Sequence, residues 1–447
     1  MKLPARTAML LPLPTCRARP SRLRLPINAP QCAALLPVSR KPLPVSRHAS
    51  LPYPMSQLTK ARCATMAILF CNGVIYASWG VHVPTIKDRF HLSDAVLSLA
   101  MLAVALGGIL VMAWGGRWIG RVGSAHAAVR SGLLMALAAF GILLVPQYAL
   151  LLPWLLAYGA ASALNDIAAN SQAVMLETHF GKPIIGSLHG SFSVGGMLGA
   201  IVASAWRGAG WPNEAHMLVV CGLCALITLL AARGLMQESA LQAAGPEHAP
   251  ASSDAPVSAE PRLHRRLQML GFLSFLGLVV EGAMYDWTAV YMRDVAQASA
   301  GLIGAGYAAF SIGMATGRFL GDPVRARLGP TLVIPCSCAL CIVGVGAALL
   351  MPRPLLAASG FLLAGLGLSN VIPIMFSSAG REAIAHCRTA SAGLAVTTRL
   401  AYVGLLAGPV IVGFIAHALS LRIALALLLL CALAIALVSM RFFRTPA

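Results

Sequence analysis

From Ile423 to Met440 the chain carries no charged side chain, and Leu133 to Tyr148 is equally bare. Runs of this kind recur along most of its length. A helix needs about 20 apolar residues to cross a hydrocarbon layer of ~30 Å. Inside that layer every backbone N–H and C=O must be bonded within its own segment, so such runs fold as helices packed on helices. The alternating segments of ~10 residues that mark a membrane β-barrel are not found. The chain is 58% hydrophobic and 11% charged, against about a quarter charged in a soluble domain. An all-α membrane protein embedded in a lipid bilayer is expected.

Apolar runs between polar breaks predict twelve spans, near 64–86, 94–114, 127–146, 149–172, 185–206, 215–234, 269–292, 300–320, 331–351, 354–377, 390–416 and 420–441. Between the sixth and seventh lies Gln237 to Arg266, rich in Ala, Pro, Ser and Glu, a composition that reads as a linker. The expected organisation is a basic Pro/Arg-rich segment at 1–63 and a six-helix bundle at 64–234. A cytoplasmic linker at 235–266, a second bundle at 267–441 and a tail at 442–447 complete it. Within the first segment, Met55 opens a conventional short cytoplasmic start, and residues 1–54 read as a start-site artefact.

The net charge of +19 has two sources. Residues 1–54 hold nine Lys/Arg and no acid, and the rest of the chain nets +10. With both termini in the cytoplasm, the cytoplasmic loops and ends hold 17 Lys/Arg and the opposite loops six. That bias is the positive-inside rule, and it sets the orientation without invoking nucleic acid. Cys221 and Cys224 form a C-x-x-C, but among Val, Leu and Ala they read as buried structural cysteines. No cofactor or metal site is expected.

The string Gly-Arg-x-x-Gly occurs twice, at Gly116–Gly120 and Gly317–Gly321, with the arginines 201 residues apart. Gly73-Val-Ile-Tyr76 is echoed by Gly282-Ala-Met-Tyr285. Asn165 and Glu177 are echoed by Asn370 and Glu382, and Gly195-x-x-x-Gly199 by Gly404-x-x-x-Gly408. These offsets of 205–209 residues, in one order, predict two pseudo-symmetric halves.

Polar residues fall on single faces of every third span. Span 1 has Asn72, Tyr76 and Trp79, and span 4 has Ser162, Asp166 and Asn170. Span 7 has Glu281, Tyr285 and Thr288, with Asp286 and Trp287 beside them. Span 10 has Asn370, Pro373 and Ser377. These four helices are expected to line an aqueous cavity. Spans 3, 6, 9 and 12 suit lipid. Trp79, Trp287 and Tyr402 offer faces for stacking on a ring, with interfacial anchoring as the rival for the two tryptophans. His82 and His189, near helix ends, read as hydrated.

Ionisable residues within a membrane cost about 2.5–3.5 kcal/mol each on insertion scales and are usually functional. Asp166 lies about 16 residues from the outer end of its span, or about 24 Å in. Glu281 is expected to pair with Arg399, either permanently as a packing device or releasably as part of coupling.

The 6+6 repeat, the central linker and Gly-Arg-x-x-Gly-Asp after span 8 resemble the major facilitator superfamily over about residues 60–441. That resemblance implies alternating access and a cytoplasmic latch between the bundles. The latch would comprise Gly116, Arg117, Gly120 and Arg121 in one half, and Gly317, Arg318, Gly321 and Asp322 in the other. Glu177 and Glu382 would pair with the loop arginines. The first copy departs from the pattern, with Arg121 where an Asp belongs. The competing role for these glycines is close helix packing.

Asp166-Ile-Ala-Ala-Asn170 resembles the Glu-x-Ala-Ala-Asn stretch of the fucose/proton symporter branch, whose acid carries the coupled proton. That branch has an Asp in span 1 where this chain has Gly80, so the likeness carries proton coupling better than it carries sugar specificity. The leading expectation is a monomeric, proton-coupled importer of a small polar, sugar-like solute in a bacterial cytoplasmic membrane. Asp166, Glu281 and Arg399 would couple. Asn72, Tyr76, Trp79, Asn165, Asn170, Tyr285, Asp286, Trp287, Asn370 and Tyr402 would line the cavity. A drug exporter of the same superfamily is the alternative. An enzyme or sensor would need a nucleophile motif, a phosphate loop or a soluble tail, and none is found.

Overall fold

The computed structural model describes residues 55–112, 114–180, 184–237, 260–386 and 390–443. Residues 1–54, most of the central linker and residues 444–447 lie outside the described residues. The helices of the first half are α1 (Met55–Arg89), α2 (Asp94–Met112), α3 (Gly115–Val122), α4 (Ser124–Gly141), α5 (Tyr148–Phe180), α6 (Ile185–Gly208) and α7 (Asn213–Ala231). Those of the second half are α8 (Pro261–Asp294), α9 (Ala305–Leu350), α10 (Pro354–Leu368), α11 (Val371–Ala385), α12 (Ala390–Ala418) and α13 (Leu421–Phe442).

Eleven described segments are long and apolar enough to cross a membrane, and the pair α3 and α4, bent by 120°, makes a twelfth. Helix α9 holds two spans, Ala300–Gly321 with its preceding turn and Arg327–Leu350. Their joint is Gly329, at φ 68° and ψ 168°. In the first half the matching joint is Gly123, at φ 83° and ψ 141°. Positive φ is cheap only for glycine, so both bends are written into the sequence. Elsewhere local signals are conventional. Pro261 and Pro354 open α8 and α10, where a missing N–H costs nothing. The Ser420 side chain accepts from the Ile423 amide to cap α13.

The halves pack alike. In α1 against α6, a Cβ on Gly195 would strike the Phe70 carbonyl. In α8 against α12, a Cβ on Gly404 would strike the Phe275 carbonyl, 209 residues on. Helices α2 and α5 approach through Gly107 and Gly159, and α9 and α10 through Gly313 and Gly365. In lipid, tails are as apolar as leucine, so close backbone approach through small residues is what binds helices together. The fold is two pseudo-symmetric six-helix bundles.

Outward-facing apolar residues crowd the third and sixth spans of each half. Leu223, Leu226 and Leu230 on α7 and Ile423, Leu430 and Leu437 on α13 are exposed. A soluble protein does not show so large an apolar surface, and here it is the belt that a bilayer covers.

The bundles meet most firmly at the end that carries Lys87. Lys87 Nζ lies 2.7 Å from Asp94 Oδ1 and 2.8 Å from Asp294 Oδ2. Arg293 of α8 reaches back to Asp88 Oδ2 at 2.6 Å and to the Pro84 carbonyl at 2.6 Å, both on α1. It also pairs with Asp294. Nearer the middle, Gly304 donates its amide to Ser204 Oγ at 2.8 Å, joining the turn before α9 to α6.

Candidate functional site

A cavity of about 280 Å³ lies between the bundles. Helix α1 contributes Asn72, Tyr76 and Trp79, three residues on one helical face. Helix α5 contributes Ser162 and Asp166, and α8 contributes Glu281, Tyr285 and Asp286. Helix α2 adds an apolar wall of Met101, Val104 and Ile109. Phe192 of α6 and Tyr402, Leu405 and Pro409 of α12 close the remaining sides.

The acids differ in their surroundings. Glu281 Oε1 lies 3.1 Å from Arg318 Nη2, with both side chains under a fifth exposed. Arg318 also donates to Ser193 Oγ of α6 at 3.0 Å, so this one guanidinium ties both bundles together. No ion pair is described for Asp166 or Asp286 among the described residues. Asp286 is 6% exposed, and its Oδ1 has no hydrogen-bond partner. Asn170 donates to the Asp166 backbone carbonyl at 2.9 Å.

Several expectations need correction. Glu281 pairs with Arg318, while Arg399 is exposed on α12 and does not line the cavity. Arg318, expected in a cytoplasmic latch, is instead a part-buried residue beside the cavity. The signal was present in the sequence: Tyr307, Ser311 and Arg318 sit at i, i+4 and i+11 on one face of a span. Span 10 gives the cavity nothing. Asn370 instead bonds the Gly317 carbonyl at 3.3 Å and Ser369 Oγ at 3.1 Å. Helices α2, α6 and α12 take its place.

Asn165 is fully buried against α4, donating to the Ala128 carbonyl at 2.6 Å and to Ser131 Oγ at 3.1 Å. Its neighbour Asp166, about 100° around the helix, faces the cavity. Asn170 turns to His189 of α6, Oδ1 to Nε2 2.9 Å. Trp287 is buried behind the cavity, and its Nε1 donates to the Pro409 carbonyl at 3.0 Å. Trp79 is also buried, at 2% exposed, which removes the anchoring alternative for both tryptophans. His82, expected near a helix end, is buried, with its Nε2 3.0 Å from His216 Nδ1.

The two loop acids have described partners close by. Glu177 Oε2 accepts from the amides of Ile184 and Ile185 at 2.8 and 3.1 Å, at the start of α6. Glu382 takes Arg266 of α8 in a two-point pair at 2.6 and 2.9 Å. A Cβ on Gly317 or Gly321 would collide with Ser369 or Asn370, whereas Gly116 and Gly120 face open space. Close packing therefore accounts for the second pair of glycines and not the first. The Asp322 side chain lies outside the described residues, as does Lys182.

The Major Facilitator Superfamily profile matches residues 27–203 and 65–401. The chain belongs to the major facilitator superfamily. It is 34% identical to an uncharacterised MFS-type transporter of Yersinia pestis over 82% of this chain and 92% of that protein. It is 31% identical to the membrane protein MosC of Rhizobium meliloti, over 84% of this chain and 88% of MosC. Among solved structures, a bacterial homologue of the human lysosomal transporter Spinster, inward-facing and occupied, superposes with a TM-score of 0.65 at 15% identity. The alignment covers 87% of this chain and 99% of that one. The nucleoside transporter NupG superposes with a TM-score of 0.63 at 14% identity, covering 88% of this chain and all of NupG. At such identities these likenesses concern the fold. The chain is a multi-pass MFS-type transporter, not an enzyme, working on a small molecule within a lipid bilayer.

Proposed function

We propose that this transporter couples proton entry to uptake of a small polar solute by alternating access, with Asp166 as the proton carrier. The observation that carries the reading is the contrast among the cavity acids. Glu281 has its charge met by Arg318, whereas Asp166 lines the same cavity with no ion pair described. A carboxylate in that position is stabilised when protonated in a poorly hydrated state and releases the proton where water enters. Glu281 and Arg318 form the second coupling element. Because Arg318 also holds Ser193, its release from Glu281 loosens a contact between the bundles.

The charge bias of the loops supports a cytoplasmic Met55 end in a bacterial cytoplasmic membrane. On that orientation the Lys87, Asp88, Asp94, Arg293 and Asp294 cluster closes the outer side. Uptake rather than export is favoured because span 5 has Gly195-x-x-x-Gly199 without the following proline that exporters of this superfamily carry. The same reading takes a single chain as the working unit. The two arginines of the first loop, Arg117 and Arg121, remain candidates for a cytoplasmic latch.

The reading is tested in vesicles reconstituted with purified protein. An inward proton flux that begins on addition of a solute, seen with an entrapped pH dye, supports it. Accumulation of solute that is indifferent to the pH gradient would overturn it.

A further inference from the structure

The cavity walls state a charge preference that proton coupling does not use up. Three carboxylates line the cavity, from Asp166, Glu281 and Asp286, and among the described residues no Lys, Arg or His is part of its lining. Arg318 balances Glu281 from just outside. If Asp166 takes the transported proton, Asp286 is still left over. Its side chain faces the cavity, is more than nine-tenths buried, and presents an oxygen with no hydrogen-bond partner. A buried charge without a partner is costly, and natural sites supply one.

The remaining lining limits what the partner is. An anion would meet uncompensated negative charge. A polyol with hydroxyls on every side would leave several of them against Met101, Val104, Ile109, Met135, Leu278 and Leu405, where no hydrogen bond awaits. Tyr76, Trp79 and Tyr285 offer aromatic faces close to the acids, and such faces attract cations. About 280 Å³ admits a compact molecule rather than an extended one.

We infer that the cavity takes a small organic cation, a protonated amine on a compact and partly apolar body, with Asp286 as its counter-ion. The inference rests on the transport reading above and adds the substrate class to it. Asp286 recognises the charged head, the aromatic side chains flank it, and the α2 wall receives the apolar body.

The test uses purified full-length protein and matched pairs of probes that differ in one amine. The pairs are cyclohexylamine and cyclohexanol, glucosamine and glucose, and phenethylamine and 2-phenylethanol. Thermal unfolding is followed against probe concentration at fixed pH and ionic strength. At least one amine is expected to stabilise the protein at a concentration about tenfold or more below its neutral twin, the worth of one charge-assisted hydrogen bond. Asp286→Asn should erase that preference, and Asp286→Glu, which keeps the charge, should retain it. Neutral twins that stabilise equally well, or no stabilisation by any amine, would overturn the inference. So would an amine preference that survives in Asp286→Asn. Binding is read here without a gradient, so the two proposals fail separately. An amine that binds but is not accumulated under a pH gradient removes the symport reading alone. A neutral solute accumulated under that gradient removes the amine assignment alone.

Discussion

In the first half of the molecule, Arg117 and Arg121 lie exposed on α3, a short helix set across the end of its bundle, and Gly116 and Gly120 face open space. In the second half the same string is part of a span. Gly317 and Gly321 are pressed against Ser369 and Asn370, and Arg318 turns inward to Glu281 and Ser193. The difference lies ahead of the string. In the first half α2 ends at Met112 and the string opens a separate helix at Gly115. In the second half α9 runs from Ala305 through Gly321 without a break before Gly329, so Arg318 stays on the span that borders the cavity. A duplicated motif thus takes two places: one copy stays at the surface and the other is built into the contact between the bundles beside the cavity.

The contrast is open to direct challenge. The largest expected effect is at Arg318. Arg318→Ala leaves Glu281 part-buried without its partner and should cost about 3 kcal/mol of stability, the low end for a broken buried pair. Arg121→Ala at the exposed copy should stay within about 0.5 kcal/mol. Thermal unfolding of the two purified variants compares them, and equal losses would erase the distinction. Adding Glu281→Gln to Arg318→Met should recover most of the loss, because the stranded charge is gone.

Next come the glycines. Gly317→Ala and Gly321→Ala should each destabilise by about 1–3 kcal/mol through overpacking. Gly116→Ala and Gly120→Ala should be neutral or stabilise by up to about 1 kcal/mol, since alanine favours helix and meets nothing there. The smallest contrast should be between the two bends. Gly123→Ala and Gly329→Ala both place a Cβ at positive φ with extended ψ, costing about 1–3 kcal/mol from backbone strain. A marked difference between these two would mean that the bends are not equivalent.

Much of this architecture was legible in the sequence because the rules for spans are one-dimensional. Hydropathy gives helix positions, and repeated offsets give the two halves. The face of α1 was legible too, since Asn72, Tyr76 and Trp79 are a single stripe. Asn165 and Asp166 show where such reading stops. They are adjacent, both polar and both within a span, and only the rotation of α5 against α4 decides which one bonds a carbonyl and which one faces the cavity. The same holds for Tyr285, Asp286 and Trp287. Ion pairs were the least legible. Glu281 with Arg318, and Glu382 with Arg266, depend on which helices are neighbours. The expected Glu281–Arg399 pair chose a partner within the right bundle but on the wrong helix.

The account stands most directly on Asp166, one of the two cavity acids without a described ion pair. The deciding measurement is uptake of a labelled solute, chosen by the paired-probe screen, into reconstituted vesicles with an imposed pH gradient. It is made for the wild type and for Asp166→Asn, alongside counterflow at equal pH. The account predicts that wild-type vesicles concentrate the solute, while Asp166→Asn vesicles only equilibrate it and keep counterflow intact. Accumulation by Asp166→Asn to the wild-type level would contradict the assignment of the proton to Asp166.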